Sequence, residues 1–142
     1  MDMSPGVDRL RGYVDATRAG GIQEAATRVA YGDFTEAAGY REMKSLLDQT
    51  PDIDGVFVAS DLMGIGALRA LHDLGRRVPE DVAVVGFDDL EAVSYTMPPL
   101  TTVRTLRADQ ATAAVRLLLR QIAGGPASST ILPTELIIRK ST

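Results

Sequence analysis

Apolar positions along the chain follow two rhythms, and the switches between them mark the elements. Leu10, Tyr13 and Val14 fall at i, i+3 and i+4, and Thr17 continues the stripe through its methyl group. Gly20-Gly21 break it, which predicts a helix over residues 8–19. Residues 27–31 (Thr-Arg-Val-Ala-Tyr) suit a short strand, and Gly32-Asp33-Phe34-Thr35 suit the turn out of it. Thr35 or Asp33 can cap the next helix, with Asp33 and Glu36 at capping-box spacing. That helix carries Tyr40, Met43 and Leu47 on one face and runs to about Gln49. Residues 55–59 and 82–87 are apolar strands, and 100–103 reads as a further one. Between the first two, Ser60-Asp61 open a helix over 62–74 that presents Ile65, Leu68 and Leu71 and stops at Gly75. A long helix over 108–123 places Ala111, Val115, Leu118 and Ile122 on the side expected to face inward. Residues 130–139 are extended, with a break at Pro133. Apolar strands alternating with helices predict an α/β fold: a parallel sheet in a three-layer sandwich.

Composition narrows the chemistry. The chain has 142 residues, a formal charge of −4, no cysteine and one histidine. Disulfides and thiolate-bound metals are therefore excluded within it, as is a multi-histidine zinc site. Net acidity speaks against this segment gripping a nucleic-acid backbone. No apolar stretch approaches a membrane span. The opening Met-Asp-Met-Ser-Pro-Gly shows no basic region followed by an apolar one, so no secretory signal is visible there. An α/β pattern that opens on a helix without a preceding strand suggests part of a larger domain.

Three successive strands end on acids: Asp33 after Tyr31-Gly32, Asp61 after Ala59-Ser60, and Asp88-Asp89 after Phe87. In an open parallel sheet these ends share one edge, outside which ligands bind. Asp33, Ser60 and Asp61 each have an alternative as plain caps. Asp88 follows a buried strand directly and is the best ligand candidate, with Asp89 available for local capping. Phe34 suits ligand stacking and core packing equally. Gly64 and Gly66, early in their helix, suggest close approach of the sheet or a partner helix. No phosphate-cradling glycine loop, nucleophile elbow or metal-ligand spacing is present. His72 reads as a surface or packing residue, and Met43 and Met63 as packing.

Several segments in register resemble the LacI/GalR family of bacterial transcriptional regulators. These are Arg9-Leu-Arg-Gly-Tyr, the run from Tyr31-Gly-Asp-Phe to Gly39-Tyr40, Val58-Ala-Ser-Asp-Leu-Met-Gly-Ile-Gly-Ala-Leu, Leu74-Gly-Arg-Arg-Val-Pro-Glu-Asp-Val-Ala-Val-Val-Gly-Phe-Asp-Asp, Pro99-Leu-Thr-Thr-Val and Arg139-Lys-Ser-Thr. The resemblance covers nearly the whole chain. It implies the C-terminal lobe of a type I periplasmic-binding-protein-like fold, from the effector-binding domain of a regulator whose helix-turn-helix headpiece and first lobe lie elsewhere. Residues 1–104 and 134–142 would then form the lobe, and 105–133 a crossover that packs on the other lobe. A strand preceding Asp8 would belong to the same lobe.

The resemblance also implies a site. Arg9 matches an arginine that holds effector hydroxyls or a carboxylate, Phe34 a stacking aromatic, and Asp88 an acid that accepts from ligand hydroxyl or ring N–H groups. Ser60 matches a position that is often Asn, so its hydrogen-bonding role departs from the pattern. Asp61 reads as structural. The implied ligand is a sugar or sugar derivative. The implied partner is a second copy, through helix 62–74 and the loop 93–97, with operator DNA reached only through the headpiece. The implied setting is the cytoplasm. No cofactor, metal or catalysis is implied. Two rivals differ in class. A transporter's sugar-binding protein shares the fold, but the Leu-Thr-Thr-Val and Arg-x-Ser-Thr patterns speak against it. A magnesium-dependent enzyme would gather Asp61, Asp88 and Asp89, yet the only lysines are Lys44 and Lys140 and neither stands at a strand end.

Overall fold

The apolar runs form the centre of one sheet, and the helices between them decide which residues reach its carboxyl edge. The structure, a computed structural model, describes residues 4–22 and 28–142. In chain order the elements are α1 (Ser4–Ala19), α2 (Glu36–Gln49), β1 (Gly55–Phe57), α3 (Asp61–Asp73), β2 (Ala83–Asp88), β3 (Thr101–Thr105), α4 (Arg107–Ile122) and β4 (Thr134–Ile137). A short 3-10 turn, Glu91–Ser94, follows β2. The sheet order is β1-β2-β3-β4. β1, β2 and β3 are parallel, with Phe57 opposite Val85 and Phe87 opposite Val103.

β4 pairs antiparallel with β3, Val103 facing Leu136. The sheet is therefore mixed: the three strands expected to be parallel are so, and β4 adds an antiparallel edge. An antiparallel strand at the edge of an otherwise parallel sheet is a common solution when the chain returns from outside it.

The core lies where α2 and α3 meet the sheet. Met43 and Leu47 from α2, Leu68 and Leu71 from α3, Val84 from β2 and Leu100 just before β3 are all buried. Glycine sets the helix spacing, as the sequence suggested. A Cβ on Gly66 would stand 2.0 Å from the Glu36 carbonyl oxygen, and one on Gly39 would stand 2.1 Å from that of Met63. Only hydrogen fits at this crossing.

Caps follow the sequence with one change. Thr35, in extended backbone, accepts from the Ala38 N–H and is the α2 cap. Asp33 accepts instead from the Thr35 N–H and hydroxyl, so no capping box joins it to Glu36. Ser60 caps α3 through the Met63 N–H, and Gly75 ends that segment at φ 70°.

One expectation fails for the lack of a neighbour. Residues 28–31 do not form a strand, and Thr27 lies outside the described residues. A β-prone segment needs a paired strand to supply its ladder, and no described strand pairs with it. α4 forms as its periodicity dictates, and none of its residues is buried, as expected of a crossover whose apolar side would pack on another lobe; Val115, Leu118 and Ile122 are each more than half exposed. Amphipathicity specified the helix without supplying a surface to cover its apolar side.

Replacing Gly66 with Ala should cost about 3 kcal/mol, because backbone rather than a flexible side chain must move. Urea unfolding of the Gly66→Ala chain checks this; unchanged stability would contradict the close crossing.

Candidate functional site

The carboxyl edge of the sheet brings together three of the residues singled out from sequence. α1 delivers Arg9, whose guanidinium lies 3.9 Å from the Phe87 ring centroid. It donates to the Ala59 carbonyl at 2.5 Å and stands 3.7 Å from the Asp88 carboxylate. Phe34 lies on the same arginine at a looser 6.0 Å and is half-buried against the core. Its core-packing reading is met. Ser60 is buried, and its oxygen caps α3 while its hydroxyl proton remains to be donated. Asp33 is occupied in its own turn and is not among these residues. His72 lies exposed on α3 beside Asp73.

The backbone of this edge is strained. Among the described residues, the non-glycine positions with positive φ are Phe34 at 65°, Asp88 at 118° and Asp89 at 56°. Each such placement costs on the order of 1–3 kcal/mol and persists only where surrounding contacts over-determine it. For Asp88 and Asp89 three arginines supply those contacts. The Asp89 carboxylate accepts from Arg104 Nε at 2.7 Å and Arg139 Nη2 at 2.6 Å. Arg107 donates to the main-chain carbonyls of both aspartates. Asp61 is fully buried and accepts from the Thr102 hydroxyl at 2.6 Å and the Leu90 N–H at 2.7 Å. Asp61 is thus structural, as expected, but it ties β3 to the chain after β2 while Ser60 does the capping.

Protonation follows these surroundings. Burial pushes the Asp88 carboxyl above its usual value, opposed by the nearby Arg9 and Arg107 charges and reinforced by Asp61. Asp61 is pushed up by burial against the hydrogen bonds it accepts. Burial also raises Asp89, but the bonds from Arg139 and Arg104 outweigh it and hold that carboxyl below its usual value.

Phe87 and the Asp89–Arg104–Arg139 cluster escaped the sequence reading. Phe87 looked like a strand core residue, though its position one before Asp88 was a signal. The partners of Asp89 come from β3 and from the chain after β4, a juxtaposition only the register reveals.

A model of the periplasmic binding protein-like domain matches residues 2–142. The chain belongs to that family. It matches part of the effector-binding domain of LacI-family regulators. It is 46% identical over 142 residues to the transcriptional regulator CelR of Thermobifida fusca, covering 99% of this chain and 42% of CelR. It is 41% identical over 136 residues to the repressor CytR of Escherichia coli K12, covering 94% of this chain and 40% of CytR. Among solved structures it matches a CelR–cellobiose complex with a TM-score of 0.93 at 46% identity, covering 100% of this chain and 44% of that one. A LacI-family regulator from Arthrobacter in complex with lactose matches with a TM-score of 0.68 at 36% identity, covering 77% of this chain and 42% of that one. The chain thus spans about two fifths of the length of these relatives. In this family member the strained acid pair sits on a sheet edge whose fold is shared with sugar-bound regulators.

The Asp89 clamp has a pH signature. A carboxyl whose folded pKa is lowered contributes stability above its unfolded value, and that stability is lost as pH falls through the folded pKa. Asp89→Asn should therefore cost about 2 kcal/mol near neutrality. The gap to the unmodified chain should begin to narrow below about pH 4, the unfolded value, and go on narrowing toward the lower folded one. Denaturant unfolding across pH 3–7 checks this; a gap that does not narrow at the acid end would contradict the clamp.

Proposed function

We propose that the chain is the second lobe of the effector-binding domain of a ligand-responsive transcriptional regulator, acting as a repressor, with a sugar or sugar derivative as effector. The observation that carries this reading is the convergence of Arg9, Phe34 and Asp88 at one strand-end edge. Arg9 offers a planar fork of donors and Asp88 a carboxylate acceptor, the pair that fixes hydroxyl groups by charge-assisted bonds. Phe34 offers an aromatic face to the apolar face of a sugar ring, and Ser60 a hydroxyl proton. Cellobiose in the CelR complex and lactose in the Arthrobacter complex support the ligand class.

Residues 1–104 and 134–142 form this lobe, and residues 105–133 cross to the other. The observed elements support the boundary: β3 ends at Thr105, β4 begins at Thr134, and α4 between them buries nothing. Effector bound between the lobes would shift their relative orientation, biasing the DNA-binding state by its differential affinity for the two arrangements. A second copy would dock through α3 and residues 93–97, where Leu62, Leu74, Tyr95 and Met97 are exposed. Operator DNA would be reached through a headpiece outside this chain, in the cytoplasm.

The geometry disfavours the enzymatic rival. Both oxygens of Asp61 and both of Asp89 are already engaged by protein donors, so a cation would have to displace those bonds.

In the longer protein, a melting-shift screen of mono- and disaccharides, cellobiose included, should raise the midpoint by several degrees for the effector class. Arg9→Ala and Asp88→Ala should each abolish that shift; a shift retained in both places the ligand elsewhere. This chain by itself, acidic over its length, should give no specific gel shift with operator DNA.

A further inference from the structure

Phe87 is the penultimate residue of β2, and successive side chains of a strand point to opposite faces. Val84 is fully buried, and a Cβ on Gly86 would meet Asp61 and Leu100, so positions 84 and 86 face the core under α2 and α3. Phe87 therefore faces the other way, toward α1. Among the described residues its ring joins neither the buried cluster nor the hydrophobic side chains packed against it. A cation lies on it instead: the Arg9 guanidinium, 3.9 Å from the ring centroid. Phe34 reaches the same guanidinium only at 6.0 Å, the outer limit of a cation–π contact.

Three contacts hold Arg9, and they differ in kind. Asp88 stands 3.7 Å away, beyond hydrogen-bond distance, so it attracts the guanidinium without fixing its plane. The Ala59 carbonyl fixes one donor at 2.5 Å, but the group can still turn about that bond. A flat guanidinium laid on a flat ring loses that freedom.

We propose that Phe87 is the positioning residue of this edge: its ring sets the plane of the Arg9 guanidinium, and so the direction in which the N–H groups not bonded to Ala59 meet the effector. The use made of those donors rests on the effector reading above. The positioning itself does not, because the ring and the guanidinium already meet in the ligand-free chain. With one face on the ring, Arg9 presents its remaining donors along its free edge, in a single plane. A ligand with two adjacent oxygens, such as neighbouring hydroxyls of a sugar, meets two of them at once.

A double-mutant cycle on the ligand-free chain tests the positioning. The charged groups facing Asp88 are Arg9 of α1, Arg107 of α4 and Asp61 of α3, and burial acts beside them. Phe87→Leu by itself changes that burial. The quantity measured is therefore the rise in the Asp88 NMR midpoint caused by Arg9→Gln, with Phe87 in place, in Phe87→Leu and in Phe87→Tyr. Phe87→Leu should reduce the rise to about half or less, and Phe87→Tyr, which keeps the ring, should restore it. The Arg9 side-chain protons should lie upfield through the ring current with Phe87 in place and in Phe87→Tyr, and move downfield in Phe87→Leu. Protection of the Val84 amide, bonded to the Ser141 carbonyl inside the sheet, reports that each variant is folded. A rise of equal size in all three backgrounds overturns the proposal. So does a rise lost in Phe87→Tyr as fully as in Phe87→Leu, which marks packing alone. In the longer protein, affinity for the sugar with the largest melting shift should fall about tenfold in Phe87→Leu and hold in Phe87→Tyr. Unchanged affinity in Phe87→Leu overturns the proposal too. If no sugar shifts the longer protein, the effector reading fails, and the ligand-free cycle still decides the positioning.

Discussion

One carboxylate holds the carboxyl edge of this sheet in place. Asp89 lies between Arg104 of β3 and Arg139 beyond β4, and Arg139 continues to the Leu100 carbonyl at 2.8 Å. The end of β2 is thereby tied to β3 and to the final residues of the chain. Ser141, fully buried, adds a second tie: it donates to the Val84 carbonyl and accepts from the Thr101 N–H. Asp89 is nearly buried at 11% side-chain exposure, so these bonds are little screened by water. Removing one partner from such a cluster leaves a charge without its match, which costs more than the cluster contributes over neutral groups.

This clamp explains how Asp88 is presented. A left-handed backbone at two successive aspartates is unfavourable unless fixed from several sides, and the arms of Arg104, Arg107, Arg139 and Asp61 do so. Asp88 then projects toward Arg9, which is itself seated on the Phe87 ring. The polar pair is already formed without a ligand, so in the proposed site less ordering would be needed on binding. Because Arg107 opens α4 and touches the Asp88 and Asp89 carbonyls, the segment proposed to cross to another lobe is joined to the acid proposed to meet the ligand.

The sequence made much of this legible and concealed the rest for physical reasons. Continuous apolar runs such as 82–87 revealed the central strands, and Gly66 announced a close helix crossing that the structure places at the Glu36 carbonyl. Asp88 stood out because it follows a buried strand without an intervening turn. Residues 28–31 misled because β propensity is realised only against a neighbour, and the neighbour is not among the described strands. Val115, Leu118 and Ile122 marked the apolar face of a helix, and periodicity identifies such a face without showing what covers it. Phe87 and Asp89 were hidden because their roles depend on partners 15 to 78 positions away, brought near only by the sheet register.

The central claim is that Arg9 and Asp88 form one electrostatic unit at the sheet edge. Its most direct test is the titration of the Asp88 side-chain carboxyl by NMR in this chain and in its Arg9→Gln variant. Burial raises that carboxyl and Arg9 opposes the rise. Loss of the guanidinium should therefore move the Asp88 midpoint further upward while the Asp89 midpoint stays low. An Asp88 midpoint that does not move would show that the pair is not formed in solution, and the account of the site would fail with it.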